Sequence, residues 1–236
     1  MIDVEDLATG SKGNCYLLTS GDTRILLDCG LSYNKILKLL DFKLPDAVLV
    51  THEHKDHAHA AQDFLNKGVD VYMTCGTAMA LGLEKHHRLH LINSYSIAIE
   101  SDSIAVESFE VKHDAAEPVN FHIADKEDRI LYLTDLGKIP NKFDSMTKIL
   151  LETNFSEDDL KNSSIDFSQK KRILENHLSL EKAAEFLTQT DLTECKEIYL
   201  IHISARHGDG ESFRKVIQKT VGDKIKVIVA KNKELK

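Results

Sequence analysis

The chain has 236 residues, of which 42% are hydrophobic and 29% are charged, and its formal net charge is −8 at pH 7. These values are typical of a soluble globular protein, and the length suffices for one large domain or two small ones. The negative charge argues against a protein whose whole surface attracts a polyanion. Any contact with nucleic acid must therefore use local basic patches and bound metal.

The sequence favours a cytoplasmic protein without a membrane partner. No apolar run approaches the roughly 20 residues that span a bilayer. The N-terminal stretch MIDVEDLATG lacks the basic start and apolar centre of a signal peptide. The cysteines at positions 15, 29, 75 and 195 contain no CxxC pair. This spacing indicates reduced thiols rather than a disulfide framework.

Apolar periodicity and turn residues predict alternating strands and helices. Strands are predicted at 2–7, 14–20, 23–28, 47–50, 69–73, 96–99, 104–111, 119–124, 129–134, 148–151, 197–203 and 224–230. Helices are predicted at 32–40, 58–67, 77–83, 178–188 and 211–219. Ser179 is the expected N-cap of the helix at 178–188. This order indicates a mixed α/β protein.

The stretch THEHKDH places three histidines and an aspartate within six positions, directly after the apolar run AVLV. Such a run ends a buried strand, so the stretch would lie at the rim of a sheet. Residues two apart in extended backbone point the same way, so His52 and His54 can reach one point. Asp56 and His57 suit a second, neighbouring point. Divalent metals bind such nitrogen and oxygen ligands, which argues against the alternative of a solvated polar loop.

Other candidate functional residues also follow, or fall within, apolar runs. They are Asp28, His113, Asp135, Glu152 and His202. Ligand sites in α/β sheets collect at the carboxyl ends of strands, so these segments could deliver ligands to one edge. Taken alone, His113 could be an ordinary strand-end histidine and Asp135 an ordinary turn aspartate. His86, His87 and His90 do not match the neighbouring strand pattern, so we expect a surface segment there.

The order of these residues resembles the metallo-β-lactamase superfamily: HxHxDH, a lone histidine, the aspartate of LTDLG and a late histidine. Within it, GSKGNCYLL, LLDCG, THEHKDH, VKHDAAEP and LTDLG look like the YycJ/WalJ-type metallohydrolases, and LLETNF, KKRILENHLSLEKAAEFL and LIHIS continue the similarity. LLETNF and NHLSLEKAA with LIHISAR also resemble RNase Z, the tRNA 3′-processing endonuclease. The resemblance spans Asp28 to about Arg206. It implies one domain over 1–236, a four-layer αββα sandwich with a dimetal site at one edge of the sheets.

The resemblance also implies a ligand set for two divalent ions. His52, His54 and His113 would hold one ion, and Asp56, His57 and His202 the other, with Asp135 bridging. Asp28 would orient a metal-bound histidine or the bridging water. Nitrogen-rich ligation suits zinc, whereas bridging carboxylates also take manganese, so both metals are candidates.

The implied reaction is hydrolysis of a phosphodiester. Two divalent ions about 3.5–4 Å apart can lower the pKa of a shared water and stabilise charge on phosphate oxygens. The leaving oxygen needs a proton, and His177 is the candidate donor, with Glu152 holding its imidazole. The expected catalytic residues are therefore Asp56, Glu152 and His177. The alternative for His177 is that it merely precedes a helix N-cap.

Several polar residues near the proposed site are candidates for phosphate contact. They are Ser11, Lys12, Asn14, Lys171, Arg172, Ser204 and Arg206. Backbone amides of the glycine-flanked loop at 11–14 could also meet phosphate. For each of these residues a solvated surface is the alternative, and their placement beside the proposed metal edge is the reason to consider phosphate.

The leading prediction is a dimetal phosphodiesterase, a 5′-end-directed DNA exonuclease with DNA favoured over RNA. The alternatives are a hydrolase of a cyclic phosphodiester, thioester or lactone, an RNase Z-like RNA endonuclease, and a non-catalytic metal-binding protein. Asp135 and His202 are 67 positions apart (202 − 135), too few for the inserted domain of the β-CASP nucleases. The chain also lacks the long Gly/Pro-rich arm of RNase Z. The loop ISARHG departs from the YycJ type, which tends to continue with Glu-Asn-Asn.

Overall fold

The computed structural model of this protein describes residues 1–93, 96–100, 104–139 and 143–234. The strands are β1 (Ile2–Ala8), β2 (Cys15–Ser20), β3 (Thr23–Leu27), β4 (Ala47–Leu49), β5 (Asp70–Thr74), β6 (Leu89–Ile92), β7 (Ser96–Glu100), β8 (Ala105–Glu110), β9 (Val119–Ala124), β10 (Arg129–Leu133), β11 (Lys148–Glu152), β12 (Glu197–Ile201) and β13 (Lys226–Val229). The helices are α1 (Tyr33–Leu39), α2 (Lys55–Ala58), α3 (Ala61–Asn66), α4 (Cys75–Leu81), α5 (Glu157–Asn162), α6 (Phe167–Asn176), α7 (Leu180–Gln189) and α8 (Gly210–Val221).

The strands form two mixed sheets flanked by helices. One has six strands in the order β1-β2-β3-β4-β5-β6, and the other has seven in the order β13-β12-β11-β10-β9-β8-β7. In the first sheet β1, β2 and β3 pair antiparallel and β3 to β6 pair parallel. In the second, β10 to β13 pair parallel and β7 to β9 pair antiparallel. This architecture confirms the predicted αββα class.

The chain divides into two compact units. Unit 1 comprises Met1–Glu110, Ala115–Glu127 and Lys231–Lys236, and unit 2 comprises Val111–Asp114 and Asp128–Ala230. The expectation of a single domain over 1–236 stays a prediction. Within the described ranges, every helix is too short or too polar to span a lipid bilayer.

The core of unit 1 lies between its parallel strands and the helices α1 and α3. Leu26, Val48 and Val71, on β3, β4 and β5, are fully buried, as are Ile36 of α1 and Phe64 of α3. Burial of such a side chain stabilises the fold by about 1.5–3 kcal/mol. This packing fixes the ends of β3 and β4. The LLDCG motif begins in β3 and extends beyond its end, and THEHKDH begins after β4.

The last described residues of the chain complete the edge of unit 1 beside β1. The side-chain oxygen of Asn232 accepts the Thr9 N–H at 2.9 Å. The Lys233 N–H donates to the Leu7 carbonyl at 3.1 Å, and its ammonium group lies 2.6 Å from the Glu5 carboxylate. Since β1 is an edge strand, these contacts cover backbone groups that would otherwise face water.

Unit 2 is built on the parallel strands β10 to β13. Every residue of β11 is buried, as expected for a parallel strand covered on both faces. At the amino ends of the strands, the buried Asp128 carboxylate lies 3.5 Å from the Lys148 ammonium group. At the opposite ends, Asp135 follows β10, Glu152 is the last residue of β11, and His202 follows β12. Parallel alignment therefore brings these three residues to one edge.

Several predicted elements needed correction. The helix predicted at 58–67 is the shorter α3, and the short helix α2 before it was not predicted. The strand predicted at 197–203 ends at Ile201, before His202. Strand β6 and helices α5 and α6 were not predicted. The N-caps Ser156 and Asp166, which accept the backbone N–H groups of Asp159 and Gln169, were the available signals for the two helices. Ser179 is confirmed as the N-cap of α7.

The carboxyl group of Asp6, on β1, predicts a pH-dependent stability. Burial raises its pKa to about 6, the backbone of Lys231 lowers it in part, and the Glu5 carboxylate raises it further. The folded state therefore holds this proton more tightly than the unfolded chain, whose Asp pKa is about 3.9. The resulting stabilisation is complete below about pH 4 and is lost as the pH rises through about 6.

We expect Asp6→Asn to remove this dependence. Relative to the wild type, the free energy of unfolding of the variant should rise by about 1–2 kcal/mol between pH 4 and pH 7, after allowance for partial exposure. Urea unfolding across that range measures the difference. Asp3→Asn is the control, because it makes the same chemical change at an exposed position of β1. A difference that is constant with pH would contradict the assignment.

Candidate metal centre

The THEHKDH stretch follows β4 and enters α2, with His54 as the N-cap. The rings of His52 and His54 are 4.6 Å apart between centroids, and those of His52 and His57 are 4.3 Å apart. One Asp56 carboxylate oxygen lies 3.7 Å from Nε2 of His57. His52 and His57 are buried. Unit 1 thus brings the four predicted ligands of this stretch together.

Asp28 orients this cluster from the end of β3. Its buried carboxylate lies 2.7 Å from Nδ1 of His57 and accepts the backbone N–H of Thr51 at 2.9 Å. The Thr51 hydroxyl donates to the same carboxylate and lies 3.0 Å from Nδ1 of His52. A carboxylate on Nδ1 fixes the orientation and tautomer of the imidazole. Asp28 was predicted for this role from the sequence, whereas Thr51 was not.

Asn14 is a structural residue and not the phosphate contact that the sequence suggested. It is fully buried, and its side-chain oxygen accepts the Gly10 N–H at 2.9 Å. Its amide nitrogen lies 3.3 Å from the Asp56 carbonyl oxygen and 3.0 Å from Nε2 of His57. A metal ion bound at Nε2 of His57 would replace the contact between that nitrogen and the Asn14 amide. Ser11 and Lys12, in contrast, are exposed, and their contact with phosphate stays a prediction.

Gly30 of the LLDCG motif lets the Asp56 backbone approach closely. A Cβ atom at Gly30 would lie 1.7 Å from the Asp56 carbonyl oxygen, so no other residue fits without a backbone shift. The Gly30 N–H also donates to the Asn14 carbonyl at 2.9 Å. The motif is therefore a packing requirement of the turn that carries Asp56 and His57.

Unit 2 contributes a second group at the carboxyl ends of its parallel strands. Asp135, Glu152, His177 and His202 offer ligand atoms that all lie within 4.8 Å of one another. Oε1 of the buried Glu152 is 2.7 Å from Nδ1 of His177 and 3.1 Å from Nδ1 of His202. Its other oxygen accepts the Leu136 N–H at 3.2 Å. One carboxylate therefore orients two imidazoles, whereas the sequence predicted its contact with His177 alone.

His202 is held from several sides. The Asn154 amide donates to the His202 carbonyl at 2.8 Å and lies 3.0 Å from its Nδ1. Nε2 of His202 is 3.8 Å from an Asp135 carboxylate oxygen, and that same oxygen accepts the Thr134 hydroxyl. Asn154 and Thr134 were not predicted from the sequence, because neither is a usual metal-ligand type and their contacts arise only in the fold.

His177 is the C-cap of α6, and its ring stacks on that of His202 at 5.4 Å. Its Nδ1 is 3.3 Å from Asp135, so the residue does more than precede the N-cap Ser179. His113 donates from Nδ1 to the Asn176 carbonyl at 3.1 Å, and its ring centroid is 5.8 Å from that of His177. The C-terminal end of α6 thus supplies His177 and also holds His113 through the Asn176 carbonyl.

The titratable groups of unit 2 show opposing shifts. Burial lowers the pKa of His113 below its ordinary value. Burial also disfavours charge on His177, but the Glu152 carboxylate outweighs it, and the net pKa of His177 is raised. Burial raises the pKa of Glu152, yet the adjacent His177 lowers it to a net decrease. Both shifts have the same cause, which is the attraction between the Glu152 carboxylate and the His177 imidazole.

Three residues of the two groups adopt left-handed backbone angles. The φ values are 56° at Asp28, 51° at Asp135 and 53° at His202. Asp28 and His202 directly follow a strand and Asp135 lies two residues after one, so the backbone turns sharply where each side chain is presented. Such angles cost roughly 1–2 kcal/mol outside glycine and tend to cluster at functional sites. The apolar runs in the sequence located these positions but did not indicate the strain.

The donor set fits divalent metal. In four histidines Nδ1 lies at hydrogen-bond distance from an oxygen of the protein: Thr51 for His52, Asp28 for His57, the Asn176 carbonyl for His113, and Glu152 for His202. With Nδ1 as the donor, Nε2 carries the lone pair that a metal ion binds. Metal-ligating histidines in proteins are held in this way. The described residues therefore include groups of histidine and carboxylate side chains that could hold a metal ion.

Three further residues that were predicted to contact phosphate have partners within the protein. Nε of Arg172 donates to the Asp114 carboxylate at 2.7 Å, and Lys171 lies 3.8 Å from Glu175. The Ser204 hydroxyl accepts two backbone N–H groups of its own loop. Contact of these side chains with phosphate would compete with such partners, and it stays a prediction.

The histidines at 86, 87 and 90 belong to a surface segment. His90 is exposed on β6, lies 3.0 Å from the Asp70 carboxylate and stacks on Tyr72. His86 and His87 stack on each other with ring centroids 4.8 Å apart. In the part of the chain that the structure describes, none of the three joins a metal-binding group.

Comparison with known proteins agrees with this architecture. Residues 23–203 match the family model described as the beta-lactamase superfamily domain. The chain belongs to the beta-lactamase superfamily. It is 33% identical over 216 residues to a protein named exodeoxyribonuclease WalJ from Streptococcus pneumoniae serotype 2, covering 84% of this chain and 80% of that protein. It is 28% identical over 234 residues to exodeoxyribonuclease YycJ from Bacillus anthracis, covering 92% and 88% respectively.

Solved structures of the superfamily share the fold. The metallo-beta-lactamase fold protein YhfI from Bacillus subtilis superposes with a TM-score of 0.75 at 17% identity, covering 98% of both chains. Human tRNase Z, short form, superposes with a TM-score of 0.67 at 15% identity, covering 98% of this chain and 97% of that one. At these identities the likeness shows the fold alone. The predicted superfamily and the predicted αββα sandwich are both confirmed.

We expect Asp28→Asn to weaken metal binding roughly 10- to 100-fold, because an amide orients the His57 imidazole less firmly than a carboxylate does. Titration of the apoprotein with zinc against a chromogenic chelator measures the affinity. Asp46→Asn is the matched control, since that carboxylate also accepts a backbone N–H, from Arg24 at 2.8 Å, on the same unit. Equal zinc affinities for wild type and Asp28→Asn would contradict the role assigned to Asp28.

Proposed function

We propose that this protein is a metal-dependent nuclease that hydrolyses phosphodiester bonds in DNA, acting as an exonuclease from the 5′ end. The observation that carries the proposal is the unit 2 group, in which Glu152 holds His177 beside Asp135 and His202. A hydrolase with an easily expelled leaving group has little use for such a held proton donor. The names of the two relatives, both exodeoxyribonucleases, support the same class of substrate.

The proposed ligands of two divalent ions, zinc or manganese, are His52, His54, Asp56, His57, His113, Asp135 and His202. This set rests on the superfamily motif order and on the orientation of the histidines within each unit. When bound, the ions would lower the pKa of water and stabilise negative charge on the phosphate. Asp56, Glu152 and His177 are the proposed catalytic residues.

The protein's own contribution to the reaction is orientation and a proton. Asp28 and Thr51 hold the imidazoles of the unit 1 cluster, and Glu152 holds those of His177 and His202. Because Nδ1 of His177 is bound to Glu152, its Nε2–H is the group that donates to the leaving oxygen. Sugar alkoxides are poor leaving groups, so this proton transfer is worth about 10²–10⁴ in rate.

A panel of end-labelled single- and double-stranded DNA and RNA, with zinc or manganese added, tests the function. We expect progressive shortening of DNA from the 5′ end, abolished by EDTA. Asp135→Asn, purified in the same way, controls for contaminating nuclease because it removes the proposed bridging ligand. Hydrolysis of a small ester or lactone with no cleavage of any nucleic acid would favour the small-molecule alternative and exclude the nuclease.

A second prediction separates the roles of His177 and His202. His177→Ala should retain the full metal content but lose about 10²–10⁴ in turnover on DNA. Its loss on bis(p-nitrophenyl) phosphate should be much smaller, because nitrophenolate leaves without a proton. Metal analysis and kinetics on both substrates measure this, with the exposed His87→Ala as control. If metal content falls in His177→Ala, this residue is a ligand and the assignment of His202 is wrong.

A further inference from the structure

A polar cleft of about 490 Å³ lies in unit 2, and none of its lining residues belongs to the proposed metal ligands. One wall is α5 with the segment that follows it, which contributes Asp159, Asn162 and Ser164. The other wall is the loop after β12, which contributes Arg206 and His207. Small-molecule sites have volumes of roughly 300–1,000 Å³, so the cleft has room for a ligand of nucleotide size.

The side chains of the cleft are rich in hydrogen-bond donors. Arg206 offers a guanidinium fork, Asn162 an amide and Ser164 a hydroxyl. Among the residues that the structure describes, none gives these three groups a hydrogen-bond or ion-pair partner. A guanidinium fork with such neighbours suits a phosphate, which accepts several hydrogen bonds at once.

His207 adds an imidazole ring to the lining of the cleft. The residue is 8% exposed, and its ring can donate or accept a hydrogen bond.

Backbone hydrogen bonds connect the cleft to the segments that follow Glu152 and His202. The Ser204 N–H donates to the Asn154 carbonyl at 2.8 Å, and the Ser156 N–H donates to the His207 carbonyl at 3.1 Å. These bonds join the segments that leave β11 and β12, which carry Glu152 and His202. Arg206 is four residues after His202, so their Cα atoms are at most about 14 Å apart.

We propose that this cleft binds one nucleotide of the substrate strand next to the cleaved bond, with Arg206 on its phosphate. The proposal rests on the proposed nuclease function and names how the enzyme holds its substrate. His207 and Ser164 complete the donors to the phosphate, while Asp159 and Asn162 can accept hydrogen bonds from the sugar or base. The phosphate is either an internal diester or a terminal monoester, and both present the same oxygens.

Binding of a fluorescein-labelled single-stranded DNA oligonucleotide tests the cleft. It is measured by anisotropy on the metal-loaded protein, with phosphorothioate linkages in the strand to prevent cleavage. Arg206→Gln should weaken binding roughly ten- to a hundred-fold, the effect of one charged hydrogen-bond donor. The slope of log K against log salt should fall by about 0.7, the value for one phosphate contact on a single strand. Because Arg206 is exposed, thermal unfolding of the variant should match the wild type.

Arg214→Gln is the matched control. It removes an arginine of the same unit whose guanidinium pairs with Glu211 on α8 at 3.0 Å, outside the cleft. Oligonucleotides with a 5′-phosphate and a 5′-hydroxyl distinguish the two sources of phosphate. An Arg206 effect limited to the phosphorylated strand indicates a terminal monoester, and an equal effect on both indicates an internal diester.

The outcomes separate this proposal from the nuclease proposal. If the wild type cleaves DNA but Arg206→Gln binds as the wild type does, the cleft proposal is wrong and the nuclease stands. If Arg206→Gln weakens binding but no nucleic acid is cleaved, the cleft binds nucleic acid, but the nuclease proposal is wrong and so is the placement next to a cleaved bond. Equal losses in Arg206→Gln and Arg214→Gln would show diffuse charge attraction and overturn the cleft. His207→Gln, which keeps a polar group in the cleft, should weaken binding as well.

Discussion

The buried carboxylate of Glu152 constrains the rest of unit 2. A carboxylate removed from water is costly unless positive charge and hydrogen bonds compensate it, and here two imidazoles and the Leu136 N–H do so. The end of α6 must therefore lie close enough for His177 to contact Glu152. A Cβ atom at Gly137 would lie 2.0 Å from the Glu175 carbonyl oxygen, so the LTDLG turn needs glycine to let that helix end approach.

Unit 1 meets the same constraint with different residues. The buried carboxylate of Asp28 is compensated by the His57 imidazole and by the N–H and hydroxyl of Thr51. In both units an acidic side chain at the end of a strand fixes an imidazole through Nδ1 and leaves Nε2 for another partner. The two units therefore use one chemical device, although one carboxylate holds a single ring and the other holds two.

The strand ends and the HxHxDH order were predictable because both depend on residues that are close together in the sequence. The pairing of Glu152 with His177 was also predictable, from motif similarity. Helix α6 was not, since it has no buried residue and hence no apolar stripe to reveal its period. Asn14 was misjudged because a polar residue in a glycine-flanked loop looks exposed until its partner, 42 positions away, is known. Thr51 and Asn154 depend on such distant partners too.

The division of each unit into separate chain segments affects both synthesis of the protein and the design of fragments. Unit 1 is assembled from three segments and unit 2 from two, so no single cut releases either unit whole. A fragment that stops at Glu127 lacks Asn232 and Lys233, which cover the edge of β1. During synthesis that edge stays uncovered until these residues leave the ribosome. Chaperone dependence and aggregation of nascent chains should therefore concentrate at β1 rather than at the buried parallel strands.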